Sequence, residues 1–448
     1  MGHLRATFVL GFPLVGAQLA QMAINTTDVI LVGWLGTTEL ASVVLASQIF
    51  FIVFIFGTGF TAAVIPVVAQ ALGRHDPVSV RRSVRMGLWI VIAYSALTAP
   101  LLWFSESILL SLGQEADVAA MAQSYLRIAQ WGIFPALGLM SLRSFVTGLE
   151  KGGIVLYVTI AMFILNAVIA YPLIFGHFGA PQFGVHGAAV ASVCANLFGF
   201  VLAILYIKSQ PNMRAYEIFV RFWRPDWSMV REIVGLGLPI SFTILAETSL
   251  FAAASLLMGT LGKFELAAHG IALQFASIAF MIPLGLAQVA TVRVGLAYGR
   301  GDMRGVRFAA LAVLVVGTCF TLAGGIFFAT FPGTLAMLFL DLNQPDALAV
   351  LGLATPLIVI AGIFQLVDGL QAVGAGLLRG LKDTRVPMLL ALVAYWPIGF
   401  ACAWLFAFPL GFGGEGIWFG FVIGLAAAAL LLCGRFWLLV RRQKQMAR

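Results

Sequence analysis

About twelve runs of apolar residues follow one another along this chain of 448 residues. Each is long enough for the roughly 20 residues with which a helix crosses a bilayer. They lie near 8–33, 42–70, 85–105, 118–147, 153–175, 185–207, 234–259, 266–292, 306–332, 347–377, 386–408 and 414–440. Inside hydrocarbon a lone segment can satisfy its backbone N–H and C=O groups only by hydrogen bonding to itself, so such runs fold as helices. The expectation is an all-α integral membrane protein. Composition agrees: 61% of residues are hydrophobic and 10% charged, against about 45–50% and 25% in an average soluble domain. So few charges could not cover a soluble chain of this size without leaving large apolar patches.

Arg5 is followed by an apolar run without a small-residue cleavage site, so the first run is expected to remain as helix 1. The four cysteines, Cys194, Cys319, Cys402 and Cys433, all fall inside apolar runs, away from any CxxC or Cys/His spacing, and read as small core residues. Basic residues gather in alternate loops: Arg74, Arg81, Arg82 and Arg85; Arg143 and Lys151; Lys208 to Arg231; Arg293 to Arg307; Arg379, Lys382 and Arg385; and the tail RRQKQMAR. The intervening loops carry almost none. By the positive-inside rule both termini are cytoplasmic, which requires an even number of spans. Topology and anionic lipid account for the net charge of +8. No soluble domain collects these arginines with aromatics, so no nucleic-acid partner is expected.

The chain contains itself twice. Shifted by 226 residues, its first quarter lies on its third without a gap. Gly11 and Pro13 fall on Gly237 and Pro239, Gln48 on Gln274, Gly59 on Gly285, and Gly73, Arg74 and Asp76 on Gly299, Arg300 and Asp302. Chance matching of apolar segments does not align Pro, Arg and Asp in one ungapped register. Two six-helix bundles are expected, 1–222 and 230–448, joined by a cytoplasmic linker at 223–229. Six is even, so both halves enter the membrane in the same sense. A pseudo-twofold axis along the membrane normal should relate them, as in secondary transporters with parallel repeats.

Three carboxylates break that symmetry. Asp28, Glu247 and Asp368 sit deep in apolar runs, and Asp28 falls opposite Ala254 while Glu247 falls opposite Gln21. An acid at mid-membrane costs roughly 2.5–3.5 kcal/mol on insertion scales, and acids kept there commonly face a cavity and bind something. No Lys or Arg stands at comparable depth in the sequence, so a buried ion pair is not expected. Each acid has polar company at helical spacing. Gln18, Gln21, Asn25 and Asp28 share one face of helix 1, Thr243 precedes Glu247 by one turn in helix 7, and Gln365, Asp368 and Gln371 stand three apart in helix 10. Gly362, Gly369, Gly374 and Gly376 allow close helix approach there. Gln48, Gln274 and Asn166 are weaker candidates that line a cavity or merely join helices. Most Phe and Met residues read as core or lipid-facing.

The segments TTDVILVGWLG, AETSLFAAASLLMGTLG and QLVDGLQAVGAGLLRGLKDTR, with VAQALGR and VGLAYGR, resemble the multidrug and toxic compound extrusion (MATE) family in its bacterial NorM-type branch, over essentially the whole chain. That resemblance implies two six-helix bundles around a central cleft in the bacterial cytoplasmic membrane. It implies export of cationic, often aromatic drugs in exchange for Na⁺ or H⁺, by a monomer. It assigns ion coupling to Asp28, Glu247 and Asp368, and a place in the N-terminal polar network to Asn166. Members often carry a second asparagine four residues later, where this chain has Ala170.

The chemistry of a buried acid suits that activity. A carboxylate out of water is neutralised by a proton, a sodium ion or an organic cation, and these compete. If ion and drug favour different bundle arrangements, exchange follows by linkage. Glu247 and Asp368 are expected to form the cation-coupling pair, with Na⁺ as one candidate occupant and Gln365 and Thr243 as secondary oxygens. Asp28, with Asn25 and Gln21, would gate the first half. A lipid-linked oligosaccharide flippase of the same superfamily is the alternative, but it would need cations at mid-membrane for pyrophosphate. An enzyme is not expected: the intramembrane aspartyl-protease motifs and HExxH are absent. Neither a nucleotide-binding GxxxxGK[ST] loop nor a soluble nucleotide domain is present, and no cofactor beyond the coupling ion is implied.

Overall fold

The computed structural model describes residues 2–34, 37–177, 179, 181–340, 344 and 346–446. Among these residues there is no β-strand. The long helices are α1 (Gly2–Gly33), α2 (Thr37–Gly73), α3 (Pro77–Trp103), α4 (Ala116–Ala129 continued by Ile133–Gly148), α5 (Gly152–Phe175), α6 (Val185–Ser209), α7 (Trp227–Leu261), α8 (Lys263–Gly299), α9 (Met303–Thr330), α10 (Ala347–Gly380), α11 (Arg385–Ala407) and α12 (Gly413–Met446). Eleven of them are each long and apolar enough to cross a membrane as one rod.

The remaining one, α4, is interrupted by a 3₁₀ turn at Gln130–Gly132. The reason is local. Gly132 loosens the backbone, and Pro135 lacks the N–H that would bond the carbonyl of Trp131. Apolarity is continuous across 118–147, so the run reads as one segment although the helix is two. A second irregularity lies in α11, where Ala394–Phe400 widens into a π-helical turn around Pro397. The missing N–H of Pro397 removes one rung of the α ladder there.

The duplication extends from residues to contacts. Asp76 caps α3 by accepting from the Ser79 amide at 3.0 Å, and Asp302, its counterpart 226 residues on, caps α9 by accepting from the Gly305 amide at 2.8 Å. Contacts group the chain into two compact units, one of Gly16–Ser241 and one of α1 up to Val15 together with Phe242 onward. The division falls within α1 and α7, and the 223–229 stretch lies inside the first unit. In that unit Ser241 donates to the Phe56 carbonyl at 2.6 Å, and a side chain on Gly59 would run into Ser241. In the other unit, a Cβ on Gly285 would stand 2.7 Å from Cγ2 of Val15. These two contacts superpose under the same shift of 226. The first half of α1 and the first half of α7 are thus exchanged in the same manner.

Within the first unit the stretch leading to α7 is pinned to α3. Arg82 pairs with Asp226, Arg81 meets Glu217 at 3.1 Å, Arg85 donates to the Arg221 carbonyl at 3.0 Å, and Trp89 to the Phe222 carbonyl at 2.8 Å. In the second unit the glycines of α10 do admit close neighbours. A Cβ on Gly362 would lie 2.9 Å from the Gly325 carbonyl of α9, and one on Gly376 would overlap the Ala287 carbonyl of α8. The apolar core there is centred on Trp418, Tyr395, Phe364 and Phe421.

Candidate functional site

In the first unit Asp28 is half-buried near the end of α1. Its Oδ2 accepts from Ser192 Oγ of α6 at 2.8 Å and from Asn166 Nδ2 of α5 at 3.4 Å. Oδ1 of Asp28 and Oδ1 of Asn166 are both buried without a hydrogen-bond partner. An unpartnered oxygen of the carboxylate, with an unpartnered amide oxygen beside it, forms a group that can accept a proton or a small cation. The structure brings Asn166 to Asp28, but not Gln21 or Asn25. Gln21 is half-buried and Asn25 exposed, and neither bonds to Asp28. Residues three and seven positions back on one helix lie beside Asp28, whereas its carboxylate is engaged across the helix interface. Gln48 is exposed. Ala170 is fully buried in an apolar cluster with Leu31, Val43, Ile174 and Ala188. The hydroxyl that completes the network comes from Ser192 instead.

In the second unit Gln371 organises the acids. Its Nε2 donates to Glu247 Oε1 at 2.9 Å, and its Oε1 accepts from the Tyr395 hydroxyl at 3.0 Å. Asp368 stands one turn before Gln371 on the same helix, so the bond from Gln371 ties that turn of α10 to Glu247 on α7. Oδ1 of Asp368 is buried and unpartnered. Tyr395, fully buried, sits in the π-helical turn of α11, and its hydroxyl reaches Gln371 on α10. Widened turns of this kind are frequent at functional sites. Gln365 is buried one turn before Asp368, but its amide lies against Gly324 and Gly325 of α9 and makes no described hydrogen bond to either acid. Thr243 is half-buried one turn before Glu247, and Gln274 is half-buried on α8.

Arg379 lies in the last turn of α10 rather than in a loop beyond it. The apolar run ends near 377, but the helix continues to Gly380. The site residues that the sequence does not single out are Ser192, Tyr395 and, as a bridge, Gln371. Gln371 carried a signal as a member of the polar stripe of helix 10. Ser192 carried none, because a lone serine in an apolar helix usually bonds its own backbone.

A family model described as MatE matches residues 13–172 and 239–405, taking in both halves of the repeat and all three acids. The chain belongs to the MatE family. This MatE chain is 64% identical over 440 residues to the probable multidrug resistance protein NorM of Rhizobium meliloti (strain 1021), covering 98% of this chain and 94% of the relative. It is 57% identical over 446 residues to the protein of the same description from Agrobacterium fabrum, covering 100% and 96%. Its fold matches the crystal structure of the eukaryotic MATE transporter AtDTX14 with a TM-score of 0.86, at 20% identity, over 100% of this chain and 98% of that one. The MatE scaffold thus presents two separate acid networks, one in each compact unit, built from different residues on a repeated frame.

Proposed function

We propose that this protein is a cation-coupled multidrug antiporter of the bacterial cytoplasmic membrane. It exports cationic, aromatic organic compounds by alternating access as Na⁺ or H⁺ moves inward. The observation that carries this reading is the buried chain of bonds Glu247–Gln371–Tyr395, with the unpartnered carboxylate of Asp368 one turn from Gln371 on the same helix. Two like charges in low dielectric repel, and an added cation or proton relieves that repulsion. An organic cation that competes for the same neutralisation is then coupled to the ion by linkage. No cluster of three or more His, Cys, Asp or Glu forms among the described residues. A sodium ion here would draw on carboxylate, amide and hydroxyl oxygens, with Gln365 and Thr243 close along the helices. Asp28, Asn166 and Ser192 form a second protonatable or cation-accepting site, and Gln21, Asn25, Gln48 and Gln274 belong to the polar lining. The alternation of basic loops supports cytoplasmic termini by the positive-inside rule. The chain works as a monomer, with the drug and the bilayer as its partners, and catalyses no covalent chemistry.

Ethidium transport into proteoliposomes, with Na⁺ and H⁺ gradients imposed separately, tests the proposal. One gradient is expected to drive transport that the other does not. Transport indifferent to both would sink it. A finer expectation concerns Tyr395→Phe, which deletes one hydrogen bond at the far end of the bridge and keeps the ring packed. A hydrogen bond contributes about 0.5–1.5 kcal/mol net, so the ion concentration for half-maximal transport should shift by roughly two- to tenfold. An unchanged ion dependence would remove Tyr395 from the network.

A further inference from the structure

The interruption of α4 opens a second site, remote in sequence from every residue of the acid networks. Between the end of α3 and Gln130–Gly132 lies a cavity of about 510 Å³, lined by Ser95, Pro100, Trp103, Gln130, Trp131 and Phe134, among others. That volume falls in the range of about 300–1,000 Å³ typical of small-molecule sites. Most of the wall is aromatic or aliphatic, and Trp131 at its edge is 69% exposed.

Two polar atoms in this wall have no partner. Gln130 is only 8% exposed, and its Nε2 donates to the Arg127 carbonyl at 3.0 Å. That bond fixes the orientation of the amide, because the reversed amide would set oxygen against oxygen. Oε1 of Gln130 is then left buried and unsatisfied, as is Oγ of Ser95. A serine in a membrane helix ordinarily bonds the carbonyl four residues back. Leaving both groups buried without a partner is costly, so the wall is suited to a hydrogen-bond donor from a ligand. Beside it stands a cation. Arg127 lies over the Trp103 ring, 5.1 Å from its centre, and its Nε donates to the Trp103 carbonyl at 3.1 Å. Its terminal nitrogens make no hydrogen bond among the described residues.

Depth narrows the occupant. α3 starts at Pro77, next to the basic residues Arg74 and Arg81, and at 1.5 Å per residue Pro100 lies about 35 Å along it. This is the far interface, where tryptophans gather. An apolar cavity there, with a buried acceptor in its wall and a guanidinium beside it, matches one molecule of the surrounding leaflet. We propose that the cavity binds a glycerophospholipid with a donor-bearing head group, phosphatidylethanolamine by its chemistry. Its phosphate pairs with Arg127, its ammonium donates to Gln130 Oε1 with Ser95 Oγ nearby, and an acyl chain lies along Trp131 and Phe134. A cationic drug fits less well, because Arg127 repels it.

Native mass spectrometry of the full chain, titrated with phosphatidylethanolamine or phosphatidylcholine, reads this directly. Phosphatidylcholine has the same phosphate and chains but no N–H. Retention of phosphatidylethanolamine at about tenfold lower lipid concentration is expected for the wild type, the size of one hydrogen bond to a charged group. Gln130→Leu should erase that preference, Arg127→Ala should weaken both lipids, and Ala99→Trp, which fills the cavity, should weaken both as well. Equal retention of the two lipids by the wild-type protein overturns the proposal without recourse to any variant. So does displacement of the lipid by inorganic phosphate regardless of acyl chain, which would mark a plain anion site.

Discussion

Glu247→Gln and Asp368→Asn are each expected to lower ion-driven drug transport in proteoliposomes by roughly 5- to 150-fold, the usual span of coupling free energies between two ligands. The amides keep the shape of the acids and lose only the charge and the proton. Gln371 still finds an oxygen at position 247, so the bridge from Tyr395 survives and the protein should purify folded. What disappears is the like-charge repulsion that an ion relieves. The two substitutions should also fail to add: once one charge is gone, the second acid no longer has a neighbour to repel, and the double variant should resemble the worse single one. Asp28→Asn lies in the other compact unit and should combine additively with either. Wild-type transport with wild-type ion dependence in both single amide variants would remove the pair from the coupling mechanism.

The spans were legible because apolar length is a property of local sequence, and so was the repeat, whose shift of 226 reappears in the matched contacts of Gly59 with Ser241 and Gly285 with Val15. The acids were legible for the same reason, since each is a local exception to its surroundings. Their partners were not. Helical spacing makes Gln21 and Asn25 the neighbours of Asp28, yet its bonds run to Asn166 and Ser192, more than a hundred positions away. Tyr395 became a partner of Gln371 only through the π-helical turn at Pro397, which hydropathy does not encode. Hydropathy puts Arg379 in a loop, because the apolar run stops before the helix does.

Gly420→Leu should prevent accumulation of folded protein altogether, an effect on stability rather than on transport. In α12 the residues Gly416, Gly420 and Gly424 recur every fourth position and so lie along one face. That face meets α11 backbone to backbone. A Cβ on Gly416 would stand 2.6 Å from the Phe406 carbonyl carbon, and one on Gly424 would stand 2.6 Å from Cα of Gly399. At Gly420 the overlap with the Ala403 backbone is closer than at either. In a membrane, packing of this kind substitutes for the hydrophobic effect, which gives two helices in lipid no reason to associate. Overpacking a well-filled core costs about 1–3 kcal/mol when side chains can move aside. Here the obstacle is main chain, so α11 itself would have to shift. That shift would carry the π-helical turn and Tyr395 away from Gln371. Gly420→Ala, the smallest intrusion, should therefore separate the two effects: reduced thermal stability in detergent, together with the altered ion dependence predicted for Tyr395→Phe. A stable Gly420→Leu protein with normal transport would show that α11 and α12 do not need this contact.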